Sequence, residues 1–270
     1  MFEVLHVSSE LDGRLAVIEL SHGKANEVGS DVLRDLEKLP VWLEETGAVA
    51  AITFSRRASS RGTPIFVAGA NVAERTGWDD ARVKEHVSWQ RAVLSSLRAA
   101  PVFHVAVVNG VALGWGTEYM LCCDWRIAAS TATFGLPETG LGIVPGAGGS
   151  ADLWAHIGVA QTLRLGMTGE RIGAEEAVRI GLVQEQVADV DAGLARARAL
   201  AEAVATKSPT AIAAFKRAVL ASIGADPDVR IANEEAAYAV CVDSGEAAIG
   251  RAAFSAILAG ERPDWGPRVG

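Results

Sequence analysis

Cysteine is scarce in this sequence, and its few cysteines form no recognisable pattern. The 270 residues include three cysteines, of which Cys122 and Cys123 are adjacent and Cys241 is distant. There is no C-x-x-C pair and no zinc-ligand spacing, so neither a disulfide scaffold nor a metal site is expected. An odd number of thiols without such a pattern is typical of a reducing compartment, and we expect a cytoplasmic protein.

Long apolar runs and an excess of basic charge are also missing. No apolar stretch reaches the roughly 18–20 residues that a membrane span requires. The N-terminus has no basic segment followed by an apolar run, so no signal peptide is expected. The formal net charge of −8 argues against a broad nucleic-acid or anionic-membrane surface. An anionic ligand would therefore have to be held by local Arg, Lys and backbone N–H groups.

Common catalytic motifs are absent too: the sequence contains no G-x-S-x-G, no H-E-x-x-H and no P-loop. Gly146, Gly148 and Ala151 fit the dinucleotide fingerprint, with Glu170 at about the right distance beyond. However, the preceding residues include glycines and a proline, which suit a buried strand poorly. We favour a glycine-rich turn that starts a helix near Ser150.

Half of the residues are apolar, and their arrangement predicts alternating strands and helices. Expected strands include residues 14–20, 48–55 and 102–108, which are apolar and mostly rich in β-branched side chains. Residues 80–99 form an amphipathic helical pattern. From about residue 155 the chain is mostly helical. We therefore predict an α/β fold with a helical C-terminal portion.

Helix boundaries can be predicted at two places. Ser30 is expected to cap a helix over residues 30–46, which Pro40 should kink or split. Ser208 and Pro209 mark the start of a helix over residues 208–223.

Two segments share the order strand, glycine, helix start: residues 67–71, VAGAN, and 112–118, ALGWGTE. The first N–H groups of a helix lack intrahelical partners and favour negative charge. Two such N–H groups directed at one point would form an oxyanion hole. The pattern alone fits two ordinary strand-to-helix turns equally well.

Glu118 and Glu138 are the candidate catalytic carboxylates. Both are flanked by glycine and apolar residues, a setting in which the pKa of a carboxyl group is often shifted. Two carboxyl groups at one reaction centre can serve as acid and base. The alternative is structural, with Glu118 favouring the helix dipole and Glu138 capping a turn.

Other polar residues carry weaker signals. His6 and His104 lie in apolar strand-like runs and are expected in the core. The cluster of Arg56, Arg57 and Arg61 is either a phosphate-binding loop or a solvated one. Asp124 and Arg126, which follow the second glycine turn closely, are expected to form a structural pair.

The sequence resembles the crotonase (enoyl-CoA hydratase/isomerase) superfamily over nearly its whole length. The resemblance rests on ordered blocks: HGKANEV, IFVAGANVAE, VVNGVALGWGTEYMLCCDWRIA, ATFGLPETGLGIVPGAGGSADL, GLVQEQV and SPTAIAAFKRAV. It implies a spiral of ββα units over residues 1–200 and a helical trimerisation region over 201–270, giving a homotrimer or a dimer of trimers.

The resemblance also implies a function: hydration of a 2-enoyl-CoA to a 3-hydroxyacyl-CoA through a stabilised enolate. Glu118 and Glu138 would be catalytic, and the backbone N–H groups of Ala70 and Trp115 would form the oxyanion hole. Coenzyme A would enter only as part of the substrate, without a further cofactor or a metal. Another crotonase reaction, isomerisation or decarboxylation, and a non-catalytic acyl-CoA-binding subunit are the alternatives. The implied CoA-binding residues are Lys24, Ala25, Ala68, Ala70, Arg56 and Arg262, and the implied acyl-pocket residues are Gly114 and Trp115.

Trp115 is the main departure from the family pattern, which commonly has glycine there. Its N–H group can still donate, provided that the backbone does not need positive φ, which a bulky residue tolerates poorly. We therefore predict a helical or bridge conformation for Trp115, with its indole lining the acyl pocket or packing beneath it. Asn71, where relatives usually have Asp, should still cap a helix.

Overall fold

The computed structural model describes residues 2–269, and its strands form two sheets. The larger sheet contains β1 (His6–Glu10), β2 (Leu15–Glu19), β3 (Ala50–Phe54), β5 (Phe103–Val108), β7 (Trp125–Ala129) and β10 (Glu185–Val187), in that spatial order. The smaller sheet contains β4 (Ile65–Val67), β6 (Val111–Leu113), β8 (Thr133–Gly135) and β9 (Ile172–Gly173), also in that order.

The chain alternates between the two sheets. β3 is followed by β4, β5 by β6, and β7 by β8, so each turn of chain adds one strand to each sheet before a helix intervenes. Strands β2, β3, β5, β7 and β10 pair in parallel, while β1 pairs antiparallel with β2. Parallel strands need helical crossovers, which explains the apolar, fully buried sequence of β3. The result is the predicted spiral of ββα units.

The helices follow the strands in a regular order and dominate the C-terminal third. Their bounds are α1 Ser30–Glu45, α2 Asp80–Ala99, α3 Trp115–Leu121, α4 Leu153–Thr168, α5 Ala174–Arg179, α6 Val190–Ala205, α7 Pro209–Ser222, α8 Pro227–Asp243, α9 Glu246–Ala252 and α10 Phe254–Leu258. Two short 3-10 helices span Ala73–Arg75 and Glu138–Leu141. The helical C-terminal portion is thus confirmed.

The larger sheet is covered on both faces. One face joins the main core, which includes the apolar stripe of α1 and the buried side of α2. The other face packs against α6, whose Leu194, Ala197 and Ala201 contact strand residues such as Ile52 and Val105. Burial of each large aliphatic side chain contributes about 1.5–3 kcal/mol. Helix α6 continues unbroken through residue 200, where the boundary between the two predicted regions falls.

The start of α1 differs from the prediction. Gly29, not Ser30, is the N-cap, and Ser30 is the first helical residue. The carboxylate of Glu74 binds this end of the helix instead, accepting hydrogen bonds from Ser30 N at 2.9 Å and from Ser30 Oγ. A remote carboxylate thus satisfies donors that a local cap would otherwise satisfy.

Pro40 does not split α1, one of the two effects predicted for it; the other, a kink, stays a prediction. The helix runs through it to Glu45. Leu36, Leu39 and Leu43 around it are completely buried, and their burial offsets the single backbone hydrogen bond that proline removes.

The start of α7 agrees with the prediction. Ser208 caps this helix, accepting a hydrogen bond from Ala211 N, and Pro209 occupies its first turn.

Two further expectations were wrong in part. His104 is fully buried as predicted, but His6 is exposed because it lies on the edge strand β1. Asp124 does not pair directly with Arg126; it pairs with Lys216 of α7 at 2.7 Å. Arg126 donates instead to the carbonyl oxygens of Cys123 and Leu182.

The C-terminal helices have an unusual surface. Helix α8 has no buried residue, and large apolar side chains of α7 to α10 are exposed, among them Phe215, Tyr238, Phe254 and Leu258. Within residues 2–269, no helix combines the length and apolar character needed to cross a membrane.

Candidate active site

The turn before α3 depends on two glycines. Gly114 has φ 52° and ψ −119°, a conformation that side chains strongly disfavour. At Gly116, an added Cβ would lie 2.2 Å from the carbonyl oxygen of Val67, so only glycine lets α3 approach β4 this closely. Trp115 between them begins α3 and is not among the residues with positive φ. Its predicted helical conformation is therefore confirmed.

The glycine turn at residues 67–71 places Gly69 and Ala70 beside β6. Val28 N donates to Gly69 O and Asn71 N donates to Val28 O, both at 2.9 Å. Because alternate backbone groups of an extended chain point in opposite directions, this pairing turns the N–H group of Ala70 away from Val28. Asn71 Oδ1 accepts a hydrogen bond from Glu74 N of the following 3-10 helix at 3.2 Å, although the N-cap of that helix is Val72 and not Asn71 as predicted. Within residues 2–269, neither Ala70 N nor Trp115 N donates a hydrogen bond.

Glu118 lies in the first turn of α3 and is 3% exposed. Its Oε1 accepts hydrogen bonds from Ala147 N at 2.7 Å and from Gly149 N at 2.8 Å. Burial raises the pKa of Glu118, although these two N–H groups lower it. The two bonds orient the carboxylate and stabilise its negative charge.

The turn that binds Glu118 is the glycine-rich segment that resembles a dinucleotide fingerprint. Two of its N–H groups are directed at the carboxylate of this chain's own Glu118, so they are not free for a phosphate. Arg91 of α2 stabilises this turn, because its Nε donates a hydrogen bond to Gly146 O at 3.0 Å. Helix α4 begins at Leu153, three residues later than expected.

Glu138 lies in the segment that follows β8, the third strand of the smaller sheet. Gly114 N and Thr117 Oγ1 both donate to Gly135 O, at 2.9 and 3.1 Å, which ties the end of β8 to α3. Glu138 follows as the first residue of a 3-10 helix and is 9% exposed. Its Oε2 is buried without a partner among the described residues. Burial, with a smaller contribution from the charge of Glu118, raises the pKa of Glu138 to about 7.

The two carboxyl groups and the two glycine turns line one cavity of about 140 Å³. This space is large enough for several water molecules or a small organic group. The predicted residues that line it are Ala68, Ala70, Gly114, Trp115, Glu118 and Glu138. The structure thus brings both carboxylates and both free N–H groups to one cavity.

The indole of Trp115 is buried, with 2% of the residue exposed. It packs against Tyr119 with ring centroids 5.5 Å apart, and its Nε1 has no partner among the described residues. Trp115 also borders a much smaller second cavity, shared with Asn26 and Val67. Trp115 thus contributes to both cavities, while its ring packs on Tyr119.

The residues predicted to bind CoA are only partly brought together. Ala25 and Ala68 are adjacent, since Ala68 N donates to Ala25 O at 3.1 Å, and Lys24 is exposed next to them. Arg56 forms an ion pair with Asp191 at 2.6 Å. Arg61 of the same loop, in contrast, shares a shallow groove with Ala68. Arg262 lies near Arg14, and it does not line the cavity of the two glutamates.

Two polar residues of this cavity had not been predicted. Arg75, from the 3-10 helix after Ala70, and Gln90, from α2, both line it. No motif marks them, because isolated polar residues on helices usually face solvent and their convergence depends on how α2 packs.

The family model for enoyl-CoA hydratase/isomerase matches residues 44–255. The short-chain-enoyl-CoA hydratase of Clostridium acetobutylicum is 32% identical over 88% of this chain and 90% of its own length. The crotonyl-CoA hydratase of Syntrophomonas wolfei is 32% identical over 91% of this chain and 93% of its own. A crystal structure of enoyl-CoA hydratase from Bacillus anthracis superposes with a TM-score of 0.87 at 32% identity, covering 97% of this chain and 99% of that one. The chain therefore belongs to the enoyl-CoA hydratase/isomerase family, the crotonase superfamily.

Proposed function

We propose that the protein hydrates a 2-enoyl-CoA thioester to the 3-hydroxyacyl-CoA. The observation that carries the proposal is the presence of two buried carboxyl groups, Glu118 and Glu138, in one cavity with two unpartnered backbone N–H groups. The names of the relatives support the same reaction. Isomerisation needs only one group to move a proton, whereas addition of water is best served by an acid and a base.

In the proposed mechanism, the thioester carbonyl oxygen accepts hydrogen bonds from Ala70 N and Trp115 N. These donors stabilise the negative charge that develops on that oxygen when the β-carbon is attacked. Glu118 acts as the base: its Oε1 is occupied by two N–H groups, which leaves Oε2 to accept a proton from water. The water oxygen bonds to the β-carbon, and the π electrons move to form the enolate.

Glu138 completes the reaction as the acid. A carboxyl group with a pKa of about 7 is substantially protonated at neutral pH, so it can donate a proton to the α-carbon as the enolate collapses. The proton that Glu118 took from water then restores Glu138, directly or through solvent. Atoms and charge balance as the addition of one water molecule.

We also propose which residues bind the CoA moiety, how the subunits assemble and where the protein is located. Ala25, Ala68 and Lys24 would contact the CoA moiety, with Arg61 or Arg56 near its phosphates. Because Arg262 does not line the cavity of the two glutamates, its contact with CoA would be made outside that cavity or on a neighbouring subunit. The exposed apolar side chains of α7 to α10 support a homotrimer or a dimer of trimers, and we infer a cytoplasmic protein from its thiols.

The test is loss of the enoyl-thioester absorbance of crotonyl-CoA, with the 3-hydroxyacyl product verified by mass. Wild-type protein should hydrate the substrate, and Glu118→Gln and Glu138→Gln should each lower kcat by roughly 10²–10⁴-fold. The conservative change keeps the side-chain volume, and a cooperative melting transition with wild-type circular dichroism would verify folding.

Two results would reject hydration. Double-bond migration without water uptake would identify an isomerase. Binding of crotonyl-CoA without turnover, unaffected in rate by either substitution, would identify a non-catalytic acyl-CoA-binding subunit.

A further inference from the structure

Two polar side chains line the catalytic cavity without a part in the proposed hydration. Arg75 Nη2 donates to Gln90 Oε1 at 3.2 Å, which links the 3-10 helix after Ala70 to α2. Gln90 is only 3% exposed. Its Nε2 and the Nε of Arg75 are buried without a hydrogen-bond partner in the described part of the chain.

The positive charge of Arg75 is stabilised by the nearby charge of Glu74, but without direct contact. Within residues 2–269, no carboxylate forms an ion pair with it. The adjacent Glu74 turns instead to Ser30 at the start of α1. Burial lowers the pKa of Arg75, but a guanidinium keeps its charge in proteins. Within residues 2–269, the side-chain hydrogen bond of this guanidinium goes to a neutral amide, that of Gln90.

Such a pair is suited to a carboxylate. A planar guanidinium and an amide NH2 group can each donate to the oxygens of one carboxylate, and charge-assisted bonds of this kind are strong. An alkyl group in the same place would leave both donors buried and unpaired, which is unfavourable. The remaining cavity wall near them is apolar and includes Val87 and Val144.

We propose that the preferred substrate, if the hydratase function holds, is a short 2-enoyl thioester whose acyl group carries a carboxylate, bound by Arg75 and Gln90. The charge would anchor the chain beyond the double bond and orient the β-carbon toward Glu118 and Glu138. Phosphate of the CoA moiety is the other anion in the same ligand, and the experiment separates the two.

The test uses the saturated thioesters glutaryl-CoA and valeryl-CoA, which cannot be hydrated. Their acyl groups have equal carbon number and differ in a terminal carboxylate against a methyl group. Calorimetric titration of wild-type protein should give at least about tenfold tighter binding of glutaryl-CoA. Arg75→Met should weaken glutaryl-CoA binding roughly 10- to 100-fold, the range for a lost charge-assisted hydrogen bond, and leave valeryl-CoA within about threefold.

Matched variants keep the result interpretable. Arg75→Lys retains charge without the planar fork and should show an intermediate loss, and it serves if Arg75→Met does not fold. Arg82→Met removes an exposed guanidinium that stacks on Trp78 outside the cavity, and it should change neither affinity.

Equal weakening of both ligands in Arg75→Met would assign Arg75 to the CoA phosphates and overturn the proposal. Equal wild-type affinity for the two ligands would overturn it too. Because neither ligand is turned over, these outcomes are independent of hydration. Conversely, crotonyl-CoA hydration without a preference for glutaryl-CoA would leave the proposed function standing and reject only the carboxylate.

Discussion

Glu118 and Glu138 share one cavity but are held in opposite ways. Glu118 is bound by two N–H groups of a glycine-rich turn, which favour its ionised form. Glu138 is also buried, yet one of its oxygens has no partner among the described residues. Burial alone therefore does not assign the roles of two carboxyl groups. The number of donors around each one separates a base from an acid.

Each carboxyl group is also positioned by a glycine of the opposite segment. An added Cβ at Gly114 would lie 2.4 Å from Glu138 Oε1. An added Cβ at Gly149 would lie 3.2 Å from Glu118 Oε1 and 2.5 Å from the Cβ of Pro145. A glycine-to-alanine substitution at Gly114 or at Gly149 therefore adds one methyl group that disturbs one carboxyl group at a time.

Among variants that keep both carboxyl groups, the largest effect is expected for Gly114→Ala. The new methyl group meets Glu138, and φ of 52° with ψ of −119° adds backbone strain of about 1–3 kcal/mol. A displacement of the acid by about 1 Å should lower kcat/KM by roughly 100-fold, measured with crotonyl-CoA. Gly140→Ala, two residues from Glu138 and with open space around its Cβ, is the control and should stay within about threefold of wild type. A Gly114→Ala enzyme of normal rate would refute this role of the turn.

Gly149→Ala should disturb the other carboxyl group less. Overpacking against Pro145 should lower the free energy of unfolding by about 1–3 kcal/mol in urea denaturation. Weakening of one N–H bond to Glu118 should lower kcat/KM by about tenfold. Gly166→Ala on α4, which meets no atom within 4 Å, provides the control for stability. If Gly149→Ala affected stability alone, the turn would not orient Glu118.

The pH dependence should distinguish the acid from the base. Since Glu138 must be protonated to donate, kcat/KM should fall by up to tenfold per pH unit above about pH 7. Folding raises the pKa of Glu138 above 4.5, so the folded state binds more protons between pH 4.5 and 7. The free energy of unfolding should therefore decrease as pH rises through this window, and Glu138→Gln should remove much of that decrease.

Glu118→Gln tests whether the charge of Glu118 affects the pKa of Glu138. It removes the repulsion that contributes to the raised pKa of Glu138, so the upper end of the stability window should move below pH 7. The shift should be smaller than the remaining effect of burial, which is the larger cause. An unmoved window, measured by denaturation at several pH values, would show that the two carboxyl groups do not interact.

The smallest effect is expected for Tyr119→Phe. Tyr119 OH bonds to Thr53 Oγ1 at 2.9 Å, and Thr53 Oγ1 lies 2.8 Å from Nε2 of His104, whose pKa burial lowers to about 3. Loss of the hydroxyl should cost about 1 kcal/mol of stability. The phenyl ring keeps its packing on Trp115, so kcat/KM should stay within about threefold. A large loss of activity would mean that this hydrogen bond also positions α3.

Local features of this protein were predictable from sequence. The Ser208 cap of α7, the extent of α2 and the glycine turn before Trp115 follow from interactions between residues a few positions apart. Glu118 could be assigned to the first turn of a helix for the same reason. Ser30 and Pro40 misled for different reasons: the remote carboxylate of Glu74 binds the start of α1, and the leucines around Pro40 are buried against the rest of the core.

The site itself was decided by contacts between distant segments. The N–H groups that bind Glu118 belong to Ala147 and Gly149, which lie 29 and 31 positions further along the chain. Arg75 contacts Gln90 only because of the way α2 packs. The sequence by itself determined where the glycines, caps and carboxyl groups occur, since these depend on backbone conformation over a few residues. Only the tertiary structure decided which donor serves which carboxyl group, because hydrogen bonds and burial across the cavity depend on how the spiral brings its turns together.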